Sequence, residues 1–137
     1  MQRRIQIRLF ARLEDGTAIA EFALTAAVFM AMLLGVVEFG FATWDKNSVT
    51  TDAREGVRYA MVHGSTSGRI ADSAMVANYV KSRTSLDNSI VVITRWEDAG
   101  KVPGTNVTVK VKHAVPRRGP FLAAHTDSSS STMVIVY

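Results

Sequence analysis

The sequence contains no cysteine, which excludes disulfides and thiolate metal ligands and fits either redox compartment. Proline is scarce and late: Pro103, Pro116 and Pro120. No proline therefore breaks or kinks a helix upstream of Pro103. The histidines, His63, His113 and His125, are far apart and share no metal-ligand spacing, so they are expected to be scattered surface residues and no metal site is expected. There is no nucleophile elbow, no phosphate-cradling glycine loop and no paired acidic site. No catalytic residue and no cofactor follow from the residues. The net charge is +4 with a pI near 9.8, but no dense Lys/Arg patch is interleaved with aromatics, which argues against a nucleic-acid partner. At 137 residues, the chain holds one compact unit with room for one element outside it.

What is present is a long apolar run. Phe22 to Val37 gives sixteen residues without a charge, bounded by Glu21 and Glu38. A helix of this length rises about 25 Å, against a hydrocarbon core of about 30 Å. Extension through Thr17–Ala20 and Phe39–Trp44 makes it long enough to span, with Trp44 at interfacial depth. The competing reading, a buried core helix, needs more surrounding protein than so short a chain supplies. Arg3, Arg4, Arg8 and Arg12 precede the run and would hold that end in the cytoplasm. Glu21 sits at the mouth of the span, where an ionisable group is costly and points to function. The plainer account is an acid in a first helical turn, favoured by the helix dipole.

Residues 1–15 read as an amphipathic surface helix or a removable leader, interrupted by Glu14-Asp15-Gly16, where glycine weakens the helix and leaves backbone accessible. Beyond Trp44, small or apolar residues recur at Val49, Ala53, Val57, Ala60 and Gly64, the spacing of an amphipathic helix. Asp52, Arg54, Glu55 and Arg58 occupy its polar face, and Gly56 permits a close neighbour. A second helix is expected from about Arg69 to Arg83, capped by Ser67, with a stripe of Ile70, Ala74, Ala77 and Val80. Residues 86–89 break it.

The period then falls to two. Residues 89–96 are rich in β-branched side chains, Asp98–Gly104 reads as a turn, and residues 105–113 alternate between Val107, Val109, Val111 and Thr108, Lys110, Lys112. Ser128–Ser131 reads as flexible, and Thr132–Tyr137 as a third strand. The fold class is therefore α+β: a long helix, apolar then amphipathic, a short second helix, and an antiparallel sheet of about three strands on the amphipathic half. The organisation follows as residues 1–16, a transmembrane helix over 17–44, and an α+β domain over 45–137.

Gly16-Thr-Ala-Ile-Ala-Glu21-Phe22 resembles the processing site of prepilins of the tight-adherence (Tad/Flp) branch of type IV pili. The resemblance continues through Gly35-Val-Val-Glu38-Phe39-Gly40 and Ala53-Arg54-Glu55-Gly56-Val57-Arg58-Tyr59-Ala60, and these later motifs are most similar to TadE-like minor pilins, or pseudopilins. It covers about residues 16 to 60; beyond them only the layout is similar. One departure is visible, since many relatives carry a proline in the apolar run near Ala27 and this chain has none there.

The resemblance implies a type IV pilin-like fold and cleavage by a prepilin peptidase between Gly16 and Thr17, removing residues 1–16 as a basic leader. It implies an inner-membrane, single-pass subunit with a cytoplasmic N-terminus and a periplasmic domain, able to enter the extracellular pilus. The implied partners are a TadF-like minor pilin, the major Flp pilin, the inner-membrane assembly platform and membrane lipid. Glu21 would pair with the new α-amino group of a neighbouring subunit's Thr17, because an unpaired ammonium in an apolar core is costly. Phe22, Leu24, Phe29 and Leu33 would exclude water around that pair. Ala23, Ala26, Ala27, Ala31 and Gly35, with Gly40 further on, would allow close helix packing. Glu38 marks the membrane edge or pairs with a partner helix. Arg54, Glu55, Gly56, Arg58 and Tyr59 would orient helix against sheet. The chain is thus expected to be a structural assembly protein without enzymatic activity.

Two rivals remain from the residues. The apolar run could be an ordinary signal peptide cut after Ala42, given the small-x-small Gly40-Phe41-Ala42, releasing a secreted domain. It could also be an unprocessed anchor for a periplasmic binding or enzymatic domain. The mature N-terminus distinguishes them: Thr17, Thr43 or Met1.

Overall fold

The structure, a computed structural model, describes the backbone of residues 3–87 and 89–137 and the side chains of residues 16–87 and 89–137. The side chains of Arg3, Arg4, Arg8 and Arg12, and Asn88 of the expected break, lie outside the described residues. The elements in chain order are α1 (Arg3–Met61), α2 (Ser73–Arg83), β1 (Val91–Trp96), β2 (Asn106–Val115) and β3 (His125–Val134). The chain divides into two compact units, Met1–Phe39 and Gly40–Tyr137. The first is helix throughout its described residues. The second is α+β, as the change of period from 3.6 to two implies.

α1 is continuous across Gly16, so the expected interruption at Glu14-Asp15-Gly16 is not observed. One glycine costs a helix only about 1 kcal/mol relative to alanine, and good helix formers on both sides outweigh it.

The core of the second unit is built from the stripe Val49, Ala53, Val57 and Ala60, met by Val76 and Val80 of α2, Val107, Val109 and Val111 of β2, and Ile135. Gly56 is where three elements converge. A β-carbon there would stand 2.8 Å from Val80 Cγ2 and 3.0 Å from Val109 Cγ1. The close neighbour anticipated at this glycine is thus a helix on one side and the sheet on the other. Gly64, just beyond α1, is buried beneath the chain's last residues, and a β-carbon on it would run into the Tyr137 carbonyl and the Ile135 side chain. The Val136 amide donates to the Met61 carbonyl at 3.0 Å, tying that segment to the end of α1.

α2 begins later than expected. Asp72 is its N-cap, accepting from the Met75 amide at 2.7 Å, the ordinary service of an aspartate at that position. Ser67 instead donates to the Gly64 carbonyl at 2.7 Å and closes a turn. The buried face of α2 is Val76 and Val80, while Ile70 and Ala74 are exposed. Stacked rings hold α2 on α1: Tyr59 lies 4.2 Å from His63 and 4.3 Å from Tyr79, and Arg83 covers Tyr79 at 5.1 Å.

The sheet is an antiparallel meander in the order β1-β2-β3. Val92, Thr94 and Trp96 face Val111, Val109 and Val107, which in turn face Ser129, Ser131 and Met133. Ser128–Ser131 therefore belongs to β3 and is not a flexible link. Serine has little intrinsic strand preference, but pairing along β2 overrides local propensity. The expected third strand over Thr132–Tyr137 is displaced toward the N-terminus, and Ile135 continues its inner face as a core residue.

Candidate functional site

The apolar half of α1 is where chemistry was anticipated. Gly16, Thr17, Glu21 and Phe22 are all exposed on consecutive turns of helix. The Glu21 carbonyl accepts from Thr25 Oγ1 at 2.8 Å, and Glu21 stands four residues, about 6 Å of helix rise, beyond Thr17. From Ile19 to Trp44, fourteen large apolar side chains are exposed. At about 1.5–3 kcal/mol for each fully buried side chain, leaving them half in water forfeits on the order of 20 kcal/mol. That exceeds the net stability of a typical domain, about 5–15 kcal/mol, so this surface needs a cover. Among the described residues, α1 is the one helix long and apolar enough to cross a membrane, through Gly16–Met61. Gly35 and Gly40 have nothing within 4 Å of where a β-carbon would stand, so both positions leave space on the helix surface. Glu38 is half-buried.

The Arg54–Tyr59 cluster lies in the second unit. Gly56 is buried between α2 and β2, Tyr59 joins the ring stack, Glu55 is half-buried, and Arg54 and Arg58 point to solvent.

Two acids are buried in the second unit, Asp45, which the sequence did not single out, and Asp52. Asp45 is wholly buried and its Oδ2 accepts from Arg118 Nη1 at 2.7 Å, joining the start of the folded part of α1 to the loop after β2. Asp52 is buried, not on a solvated face as expected, and accepts from Thr84 Oγ1 at 2.6 Å. Burial pushes its carboxyl above the ordinary 3.8; the Thr84 hydrogen bond opposes the rise and the nearby Glu55 charge adds to it. Both acids extend the buried stripe by helical spacing, Asp45 four residues before Val49 and Asp52 three after it, so the periodicity signalled burial without naming a partner.

His113 is likewise not a surface residue. It is 1% exposed because it continues the inward set Val107, Val109, Val111, a signal that period two already contained. Its Nε2 lies 3.1 Å from Asp87 Oδ1. Hydrogen bonds from the Ser89 side chain and amide, with a smaller contribution from His113, hold the Asp87 carboxyl below its ordinary value. His63 and His125 bond backbone carbonyls of Tyr59 and Ala123.

A family model described as TadE-like protein matches residues 16–58. Over this stretch the chain is similar to TadE-like proteins. No curated protein and no solved structure matches the chain. The TadE-like segment starts at Gly16 and ends at Arg58, so it takes in the Gly16–Phe22 motif, the apolar run, Glu38, and the arginines flanking Gly56. It also includes Asp45 and Asp52, whose partners Arg118 and Thr84 lie beyond it.

Proposed function

We propose that this protein is a minor pilin, or pseudopilin, that takes part in assembly of a tight-adherence type IV pilus after a prepilin peptidase cuts between Gly16 and Thr17. The observation that carries the reading is the TadE-like match, which begins at Gly16 and continues through Glu21 and the apolar run. The protein works through contacts and carries out no reaction of its own.

The scissile bond lies within α1, so the peptidase must unwind about a turn to reach it. Gly16 lowers that cost by about 1 kcal/mol relative to alanine, and no neighbouring group within 4 Å of the position of its absent β-carbon obstructs access. Cleavage leaves an ammonium on Thr17 at the edge of an apolar surface. The Glu21 carboxylate of an adjacent subunit, offset by about one turn, neutralises it. Fourteen exposed apolar side chains serve lipid before assembly and neighbouring helices afterward, with Gly35 and Gly40 admitting close approach. The TadF-like minor pilin, the Flp pilin and the assembly platform are the expected neighbours, with the second unit on the periplasmic side.

The mass of the N-terminus of native protein tests the proposal. A chain beginning at Thr17, replaced by uncut precursor when the prepilin peptidase is deleted, is expected. A chain beginning at Thr43 or retaining residues 1–16 in the presence of the peptidase would refute it.

A further inference from the structure

We infer that the loop after β2, residues 116–124, rests on the lipid surface beside the helical turn Phe41–Asp45. The inference rests on the membrane-anchor reading of α1 and adds a second contact to it. The loop is pinned to that turn, because Arg118 reaches the fully buried Asp45 at 2.7 Å. It is also folded on itself: Arg117 donates from Nε to the Gly119 carbonyl at 3.0 Å and from Nη2 to the Pro120 carbonyl at 3.2 Å. Phe121 and Leu122 follow the pin by three and four residues, so even extended chain leaves them within roughly 10–14 Å of it.

Both are exposed, at 57% and 40%, and so are Phe41 at 52% and Trp44 at 48% on the adjoining turn of α1. Aromatic residues of this kind settle at headgroup depth. The charge of the loop selects the occupant. Asp45 balances the charge of Arg118, but Arg117 adds a second cation and residues 116–124 hold no acid, so the loop with its pin is net positive, which suits anionic headgroups flanking shallow apolar insertion. The folded unit is thereby held against the bilayer at a second point besides its helix, which fixes which face it turns to a neighbouring subunit.

The absence of cysteine allows one unique spin label at a time. The full chain is reconstituted in vesicles of phosphatidylethanolamine and phosphatidylglycerol with Leu122→Cys, Val28→Cys or Ser130→Cys, and each label's accessibility to oxygen and to a water-soluble nickel complex is read. A ratio of oxygen to nickel accessibility several-fold higher at 122 than at 130, and highest at 28, is expected. A water-like label at 122 beside a deep label at 28 overturns the lipid contact and leaves the anchor intact. A label at 122 shielded from both reagents overturns it in favour of a protein neighbour. Water-like labels at both 28 and 122 overturn the anchor reading and this inference together.

Discussion

Replacing Gly56 with alanine probes the point where α1, α2 and β2 meet. The added carbon would stand 2.8 Å from Val80 Cγ2 and 3.0 Å from Val109 Cγ1, where apolar carbons prefer about 3.5–4.0 Å. The overlap comes from opposite elements, so sliding α1 away from one drives it toward the other. Valine is also stiff at χ1, so a rotamer change gives little relief. Overpacking of this kind costs about 1–3 kcal/mol, and alanine's helix preference returns about 1 kcal/mol. A net loss of up to about 2 kcal/mol is expected, equivalent to as much as roughly 8–16 °C in Tm for a domain of this size.

Near-ultraviolet circular dichroism of the full chain in detergent micelles reads the transition through Tyr59, Tyr79 and Trp96. Gly40→Ala is the internal control, since nothing lies within 4 Å of its β-carbon position, and it should lose nothing. Val80→Ala in the Gly56→Ala background should recover part of the loss, with a coupling of about 0.5–1 kcal/mol. A Gly56→Ala protein as stable as Gly40→Ala, or uncoupled from Val80, would refute the close three-way packing.

Arg118→Gln removes the cation from the buried Asp45 carboxylate; with the arginine 39% exposed, water softens the penalty to about 1–3 kcal/mol, and adding Asp45→Asn should restore most of the melting temperature. Asp52 has a folded pKa above its ordinary 3.8, so its stabilising proton is fully present below that value and lost as pH rises through the folded pKa. Asp52→Asn, compared with the parent in denaturant titrations across acid pH, should therefore gain relative stability as pH rises over that window. Asp87, held low, has the opposite sign: its contribution is present above the ordinary value and lost as pH falls through the folded pKa. Glu21→Ala should leave the Tm of the folded unit unchanged while reducing incorporation into the pilus machinery, measured by recovery with sheared pili; unchanged incorporation would sink the ammonium pairing.

The residues in chain order already specified α1 beyond Gly16, the amphipathic stripe from Val49 to Ala60 and the alternation of β2, because each rests on local periodicity. The TadE-like stretch is legible for the same reason: Gly16, Glu21 and the apolar run are neighbours in sequence. Tertiary structure decided what periodicity leaves open. The serine-rich half of β3 becomes a strand only because β2 offers a register to pair with. Asp45 and Asp52 tolerate burial only because Arg118 and Thr84, distant in sequence, supply a cation and a hydroxyl. A side chain's face is set by the repeat of its own element, while its partner is set by which other element arrives there, and that follows from packing the whole chain.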